Sequence, residues 1–309
     1  MALRNAQLPG GTYVPIPTFF HANEDLDLVT LDRHVTYLAN SGITGIIFMG
    51  STGEAIHLSD EERRIVLRKG REVLKRENPA VKIVAGCGAP SARGTIKLIK
   101  DAASEGAEFT LVLPPSYYRN RINAESIKHY FKRVADESPI PIIIYNFPGV
   151  TQGVDIDVET MAELARHPNI AGVKGTDGNV GKVGYLATHT SPREFTLLAG
   201  SADFFLPALT VGAVGVVPGL GNVTPKAIVR LQKLYEEGKL AEATELQKKL
   251  VKPDDAFNRW YGLSGVKGGM ETVLGYGGPL RNPLLPVTAE EKSKIKAAFD
   301  EIMVIEKSL

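Results

Sequence analysis

The sequence predicts an α/β fold, a (β/α)8 or TIM barrel with a C-terminal helical extension. Short apolar runs rich in β-branched residues recur about eight times, each followed by a turn and a segment of helical periodicity. The runs are apolar almost throughout, which is typical of parallel strands covered by helices on both faces. Eight such units in about 220 residues favour a barrel over a doubly wound sheet, which has fewer strands. The predicted strands are 12–19, 45–49, 81–85, 109–113, 141–145, 170–173, 195–199 and 213–217.

Helix signals occupy the segments between these strands. Ser59 and Glu62 form a capping box ahead of a predicted helix over 63–77, and 125–136 repeats apolar residues at helical spacing. After the eighth strand the pattern is helical only. Its segments are 226–237, 240–252, a glycine-rich stretch over 262–278, and a last helix opened by the capping box of Thr288 and Glu291. We therefore expect a barrel core over 1–222, and the last barrel helix with a helical appendix over 223–309.

Composition and charge exclude several classes of protein. The 309 residues carry 36 basic and 35 acidic side chains, so the net charge of +1 gives no field that would attract nucleic acid. No apolar stretch approaches the roughly 18 residues of a membrane span. Cys87 is the only cysteine and the six histidines lack HExxH spacing, so we expect neither an intrachain disulfide nor a metal site. Residues 1–10 show no signal or import pattern, which favours a cytoplasmic protein.

Two polar side chains end neighbouring predicted strands. Active sites of these barrels lie at the C-terminal ends of the strands, and Lys174 follows the sixth strand while Tyr145 ends the fifth. Desolvation there would release the neutral amine that attacks a carbonyl, as Schiff-base catalysis requires. The phenol would shuttle a proton to and from the carbinolamine. A lysine that extends to solvent and a core tyrosine are the alternative interpretations.

Further candidates follow the second and fourth strands. The segment from Gly50 through Ser51 and Thr52 offers two hydroxyls and free backbone amides, which suit a carboxylate or phosphate, although it is also a plausible tight turn. Tyr117 and Tyr118 offer two more phenols, or a stiff loop with aromatic packing.

Taken together, these motifs resemble the dihydrodipicolinate synthase and N-acetylneuraminate lyase superfamily of class I pyruvate aldolases. They occur in the expected order and after the expected strands along nearly the whole chain. The resemblance implies that Lys174 forms a Schiff base with pyruvate or another 2-oxo acid, with no metal or organic cofactor. The motifs are 50–54, Tyr117-Tyr118, Tyr145-Asn146-Phe147-Pro148 and Gly172-Val173-Lys174.

The resemblance also implies roles for the remaining candidates. Tyr145 would be the general acid/base, and one of the two tyrosines after the fourth strand would complete a proton relay, across a subunit interface in one interpretation. Ser51 and Thr52, with Gly50, would hold the pyruvyl carboxylate. The backbone near Gly200 and Val217 would line the pocket.

One departure bears on the substrate. Dihydrodipicolinate synthases carry an arginine shortly after Tyr-Asn-x-Pro that grips the carboxylate of the second substrate, whereas Val150 stands there in this chain. An apolar side chain makes no bidentate pair with a carboxylate, which disfavours aspartate semialdehyde. After Lys174 comes Gly175, and then Thr176 as a hydroxyl available to the acceptor. Further segments are similar to 4-hydroxy-2-oxoglutarate aldolases and, almost equally, to fungal-type 2-keto-3-deoxy-sugar-acid aldolases.

We therefore expect a lyase that reversibly cleaves a 4-hydroxy-2-oxo acid, either 4-hydroxy-2-oxoglutarate or a 2-keto-3-deoxy sugar acid, to pyruvate and an aldehyde. The alternatives are a dihydrodipicolinate synthase that condenses pyruvate with aspartate semialdehyde, and a barrel that binds a 2-oxo acid without turnover. The expected partners are these small molecules, without nucleic acid or membrane. The resemblance implies a homotetramer or a tight homodimer.

Overall fold

The computed structural model of the protein describes residues 7–309, with eight strands in a closed barrel. Each of these strands is parallel to its neighbours, and they follow one another around the barrel in chain order. The predicted (β/α)8 barrel is therefore confirmed. The strands are Gly11–Pro15 (β1), Gly45–Phe48 (β2), Lys82–Gly86 (β3), Phe109–Val112 (β4), Ile142–Asn146 (β5), Ile170–Gly175 (β6), Thr196–Ala199 (β7) and Gly215–Val216 (β8).

The N-terminal segment 1–10, for which the sequence predicts no signal or import pattern, lies mostly outside the described residues. The first strand ends earlier than predicted, at Pro15 rather than at Phe19. Pro17 has no N–H group to donate to a neighbouring strand, which limits the ladder at this point.

Within residues 7–309, eight α-helices alternate with the strands, and three more follow in the C-terminal extension. Both predicted capping boxes are confirmed, Ser59 with Glu62 and Thr288 with Glu291. The barrel helices are Leu28–Ala39 (α1), Asp60–Glu77 (α2), Ala92–Ser104 (α3), Ala124–Glu137 (α4), Val158–Leu164 (α5), Val180–His189 (α6), Phe205–Thr210 (α7) and Pro225–Glu236 (α8). The extension contains Leu240–Asn258 (α9), Gly262–Leu274 (α10) and Ala289–Ser308 (α11).

The glycine-rich stretch 262–278 contains a regular helix, α10, whose bounds the sequence pattern did not delimit. A Cβ atom on Gly268 would lie 2.3 Å from Cγ2 of Val287, and one on Gly269 would lie 2.9 Å from the ring of Phe257. The two glycines therefore let α10 approach α9 and the segment before α11 more closely than any side chain would permit.

A buried carboxylate joins the extension to the barrel. Glu306 of α11 is 5% exposed and accepts hydrogen bonds from the backbone N–H groups of Lys226 and Ala227, in the first turn of α8. A carboxylate at a helix N-terminus accepts hydrogen bonds from the free N–H groups there, and its negative charge interacts favourably with the positive end of the helix dipole. The division of the chain at residues 222 and 223 stays a proposal; it falls just before α8.

None of the helices within residues 7–309 is long and apolar enough to cross a membrane. Among the same residues, no group of three or more His, Cys, Asp or Glu side chains is arranged to hold a metal ion.

Candidate active site

Lys174 and Tyr145 lie side by side at the C-terminal ends of β6 and β5. The two residues are paired in the ladder between these strands, and the Nζ atom of Lys174 lies 4.0 Å from the centroid of the Tyr145 ring. Each side chain is 4% exposed, so both are almost completely removed from bulk water. The Tyr145 ring also stacks on Phe147, at 5.7 Å between centroids. The arrangement places an amine and a phenol in contact inside the barrel mouth.

A register shift brings these two side chains to the same face. Ile142 pairs with Ile170, but Ile143 pairs with Gly172, so β6 has one extra residue at this point. If the register continued regularly from the pair of Ile142 and Ile170, Tyr145 would stand opposite Val173, and Lys174 would point out of the barrel, because side chains alternate along a strand. A Cβ atom on Gly172 would lie 2.4 Å from the carbonyl oxygen of Thr196, so only glycine fits here.

The predicted carboxylate-binding segment forms a tight turn after β2, which we call the 50–54 turn. The N–H of Gly53 donates to the carbonyl of Gly50, and the Thr18 hydroxyl donates to the carbonyl of Gly53 at 2.7 Å. Ser51 is exposed and Thr52 is half-buried. Since β2 and β6 are four strands apart in a ring of eight, the 50–54 turn faces Lys174 across the barrel mouth.

A buried ion pair holds the end of this turn. The Lys267 ammonium of α10 lies 2.7 Å from Oε1 of Glu54, and the two side chains are 2% and 0% exposed. Burial lowers the pKa of Lys267, although the Glu54 carboxylate acts in the opposite direction. Neither residue was predicted from the sequence to be part of the site. Glu54 is the last residue of the 50–54 motif, whereas nothing in the local sequence around Lys267 indicates this contact.

Thr176 and Gly200, both predicted pocket residues, lie next to each other. The Thr176 backbone N–H donates to the carbonyl of Asn146 at 2.8 Å, and the Thr176 hydroxyl is buried without a hydrogen-bond partner among the described residues. A Cβ atom on Gly200 would lie 2.1 Å from that hydroxyl oxygen. Val217, the other predicted lining residue, is 1% exposed and belongs to the side chains that fill the barrel interior.

A polar network behind β5 and β6 fixes the loop that carries Thr176. The Asn146 amide donates to Asp155 at 2.8 Å and to Asp177 at 3.0 Å, and it accepts from the backbone N–H of Ile156. Lys182 forms ion pairs with the same two aspartates. Burial lowers the pKa of Lys182, but its hydrogen bonds to Asp155 and Asp177 outweigh this effect and raise it. The network was not predicted, because its members are separated in sequence and carry no motif of their own.

A second buried carboxyl lies under the loop after β7. Asp254 of α9 is 1% exposed, accepts hydrogen bonds from the Ser201 hydroxyl and the Asp203 backbone N–H, and accepts from the Asn258 amide at 2.9 Å. Burial raises the pKa of Asp254 to about 7, assisted by the nearby Asp203 carboxylate and opposed by the Ser201 hydrogen bond. The loop with Gly200 is thus tied to the C-terminal extension.

The two tyrosines after β4 lie on the outer rim rather than inside the mouth. Tyr117 and Tyr118 are each 73% exposed, and their rings contact each other edge to face at 5.2 Å. Within the described residues neither forms a hydrogen bond or ring contact with Lys174 or Tyr145. Two apolar side chains in other loops at the same end of the barrel are also exposed, Ile56 at 93% and Val150 at 44%.

Comparisons with known proteins find a family match over nearly the whole chain. The dihydrodipicolinate synthetase family matches residues 8–302 of the chain. The chain is 40% identical to the "Probable 4-hydroxy-2-oxoglutarate aldolase, mitochondrial" of Emericella nidulans, with 99% of each chain covered. It is also 40% identical to the "L-threo-3-deoxy-hexylosonate aldolase" of Hypocrea jecorina, with 98% of each covered. The crystal structure of a dihydrodipicolinate synthase family protein from Coccidioides immitis superimposes with a TM-score of 0.87 at 34% identity over 99% of both chains.

Proposed function

The chain belongs to the dihydrodipicolinate synthetase family, and on that premise we propose that it is a class I aldolase. It reversibly cleaves a 4-hydroxy-2-oxo acid, 4-hydroxy-2-oxoglutarate or a 2-keto-3-deoxy sugar acid, to pyruvate and an aldehyde. The names of the two fungal relatives support both substrate classes. The observation that carries the proposal is the buried amine of Lys174, 4.0 Å from the centroid of the Tyr145 ring in the barrel mouth.

The chemistry follows from these two groups. The neutral Lys174 amine attacks the carbonyl carbon of the 2-oxo acid, and loss of water gives a protonated Schiff base. Removal of the proton from the 4-hydroxyl breaks the C3–C4 bond, releases the aldehyde, and sends the electron pair to the Schiff base as an enamine. Tyr145 is the group that moves these protons. Protonation of the enamine at C3 and hydrolysis of the Schiff base release pyruvate and free Lys174. No metal or organic cofactor is required by this sequence of steps.

The remaining candidates bind the two halves of the substrate. Ser51 and Thr52, with the backbone of Gly50, hold the carboxylate of the pyruvyl half, which is supported by their position across the mouth from Lys174. The partnerless hydroxyl of Thr176 binds the 4-hydroxyl of the substrate or the oxygen of the aldehyde. The backbone near Gly200 and Val217 lines the pocket.

The exposed side chains at the rim support an assembly of this chain. Ile56, Tyr117, Tyr118 and Val150 are uncommonly exposed for apolar and aromatic residues, and all follow strand ends. We propose that they pack against a second copy in a tight homodimer or homotetramer, where Tyr117 or Tyr118 completes the proton relay of the neighbouring subunit. Sedimentation at micromolar concentration tests this; a single monomeric species contradicts it.

The cytosol remains our proposal for the compartment. The name of the Emericella relative raises a mitochondrial location as the alternative. Imaging of the full-length protein with a C-terminal tag distinguishes the two.

The aldolase proposal is tested by borohydride reduction in the presence of pyruvate, followed by intact-mass measurement. We expect one pyruvyl adduct on the wild type and none on Lys174→Ala. Lys82→Ala is the matched control, because Lys82 begins β3 at the opposite end of the barrel and should keep the adduct. Absence of an adduct on the wild type would leave the non-catalytic binding barrel as the better hypothesis.

A coupled assay with aspartate semialdehyde tests the synthase alternative. We expect no condensation, because the position of the carboxylate-binding arginine is held by Val150, an apolar side chain that is 44% exposed. Turnover comparable with that of 4-hydroxy-2-oxo acids would favour the synthase instead.

A further inference from the structure

The buried ion pair between Glu54 and Lys267 is not accounted for by the chemistry of Lys174 and Tyr145. Both side chains are almost completely enclosed, and their charged atoms are 2.7 Å apart. Burying two opposite charges carries a large desolvation cost for each ion, and apolar pairs of similar size are often as stable. A buried ion pair is therefore weak evidence for a purely stabilising role. The segments that Glu54 and Lys267 hold in place indicate a different role.

The pair joins the C-terminal extension to the 50–54 turn. Lys267 also donates to the carbonyl of Pro279 at 2.6 Å, and its ammonium lies 4.6 Å from the centroid of the Phe20 ring. The second oxygen of Glu54 accepts from the backbone N–H of Arg281 at 3.1 Å and lies 3.0 Å from Nδ1 of His57. The Oε1 atom of Glu54 therefore has the Lys267 ammonium as its ion-pair partner and no hydrogen bond within the described residues, whereas Oε2 has two partners. Lys267 and Arg281 both belong to the extension.

The position of Glu54 determines the position of the turn. Only Gly53 separates it from Thr52, and the carbonyl of Gly53 is itself fixed by the Thr18 hydroxyl. Glu54 has a left-handed backbone conformation, with φ at 51°, which is unfavourable for a residue with a Cβ atom and persists only when surrounding contacts hold it. Loss of the contacts of the Glu54 side chain would allow its backbone to relax. The hydroxyl groups of Ser51 and Thr52 and the backbone amides of the 50–54 turn would then be displaced.

We propose that Lys267 and Glu54 are positioning residues that set the 50–54 turn for the carboxylate of the 2-oxo acid. The proposal rests on the aldolase function proposed above. Lys267 acts in two ways: it fixes the Glu54 side chain, and it neutralises a negative charge that would otherwise repel a substrate carboxylate bound two residues away. The extension beyond the barrel thereby becomes part of the substrate-binding site, although it supplies no group that touches the substrate.

The test compares two ligands that differ in the carboxylate alone. Pyruvate and acetone both form a Schiff base with an active-site lysine, but only pyruvate requires the 50–54 turn. Borohydride trapping and intact mass give the half-saturating concentration of each ligand for the wild type, Lys267→Met, Lys267→Arg and Glu54→Gln. Glu306→Gln is the matched control, since Glu306 is an equally buried carboxylate that ties the extension to α8 rather than to the turn.

We expect Lys267→Met to raise the half-saturating pyruvate concentration about tenfold or more, with acetone changed less than about twofold. Lys267→Arg keeps the positive charge, so its half-saturating pyruvate concentration should remain within about threefold of the wild-type value. Glu306→Gln should leave the half-saturating concentrations of both pyruvate and acetone unchanged. An equal loss for both ligands would indicate a merely structural role and would overturn the proposal, as would an unchanged pyruvate response in folded Lys267→Met.

Two further outcomes are also decisive. If Lys267→Met does not fold, as judged by the absence of cooperative thermal unfolding, Glu54→Gln decides the matter, and an unchanged pyruvate response in that variant overturns the proposal. If the wild type forms no adduct with pyruvate, the aldolase function fails and this inference fails with it. A wild type that forms the adduct, together with variants that show no pyruvate-specific effect, refutes the positioning role alone.

Discussion

Replacing the buried carboxyl of Asp254 should remove a large pH dependence of stability. Burial raises the pKa of Asp254 from 3.8 to about 7, so the folded protein keeps a proton over an interval in which the unfolded chain has lost it. Because the folded state then binds more protons, stability falls as pH rises from about 4, the unfolded pKa, to about 7, the folded pKa. One proton corresponds to about 1.4 kcal/mol per pH unit, and about two pH units give a loss of about 3 kcal/mol between pH 5 and pH 8.

Asp254→Asn keeps the shape of the side chain and is neutral at every pH. We expect its free energy of unfolding, measured with urea, to exceed that of the wild type by about 2 kcal/mol at pH 5 and by about 4 kcal/mol at pH 8. Asp300→Asn, a change of the same type at an exposed position, should stay within about 0.5 kcal/mol of the wild type at both pH values. If the difference between Asp254→Asn and the wild type were the same at pH 5 and pH 8, the carboxyl would not titrate in this range and the reasoning would be wrong.

Three other substitutions test the site and the extension. Thr176→Val removes a buried hydroxyl that has no partner, so the free energy of unfolding should be unchanged or rise by up to about 1 kcal/mol, while kcat/KM for cleavage falls at least about tenfold; unchanged kcat/KM would contradict the substrate contact. Gly200→Ala places a Cβ atom 2.1 Å from the Thr176 hydroxyl and 2.4 Å from the carbonyl of Gly175, so we expect about 1–3 kcal/mol of lost stability and a loss of cleavage in steady-state kinetics. A variant as stable and active as the wild type would exclude this close approach. Thr288→Ala removes the N-cap of α11 and should cost about 1 kcal/mol in urea unfolding, with pyruvate trapping unaffected; a change in trapping would mean that the cap influences the site.

The C-terminal extension affects the barrel mouth at two separate places. Lys267 of α10 fixes the turn after β2, and Asp254 of α9 fixes the loop after β7. Both contacts are made by buried ionisable groups from outside the eight strand-helix units. The extension is thus a support for two of the loops in which we place substrate-binding groups, and changes in α9 and α10 are expected to reach the chemistry through these loops.

The barrel itself was predictable because its signals are local. Apolar runs of strand length mark the eight strands, and the side chains of Ser59, Glu62, Thr288 and Glu291 cap helices that begin within three residues of them. The order of elements then places Tyr145 and Lys174 on neighbouring strand ends. Helix bounds in the extension were less predictable, since the glycines of α10 reflect close packing against Phe257 and Val287 rather than a loop.

The sequence by itself therefore determined the fold class, the end of the barrel that carries the polar residues, and the candidate nucleophile with its phenol. Only the tertiary structure decided that Lys174 faces the same side as Tyr145, because one extra residue in β6 changes the phase of the strand. It also decided that Glu54 meets Lys267 more than 200 positions away and that Asp254 lies beneath Ser201. Such contacts depend on strand register and on the packing of distant elements, which local sequence patterns do not specify.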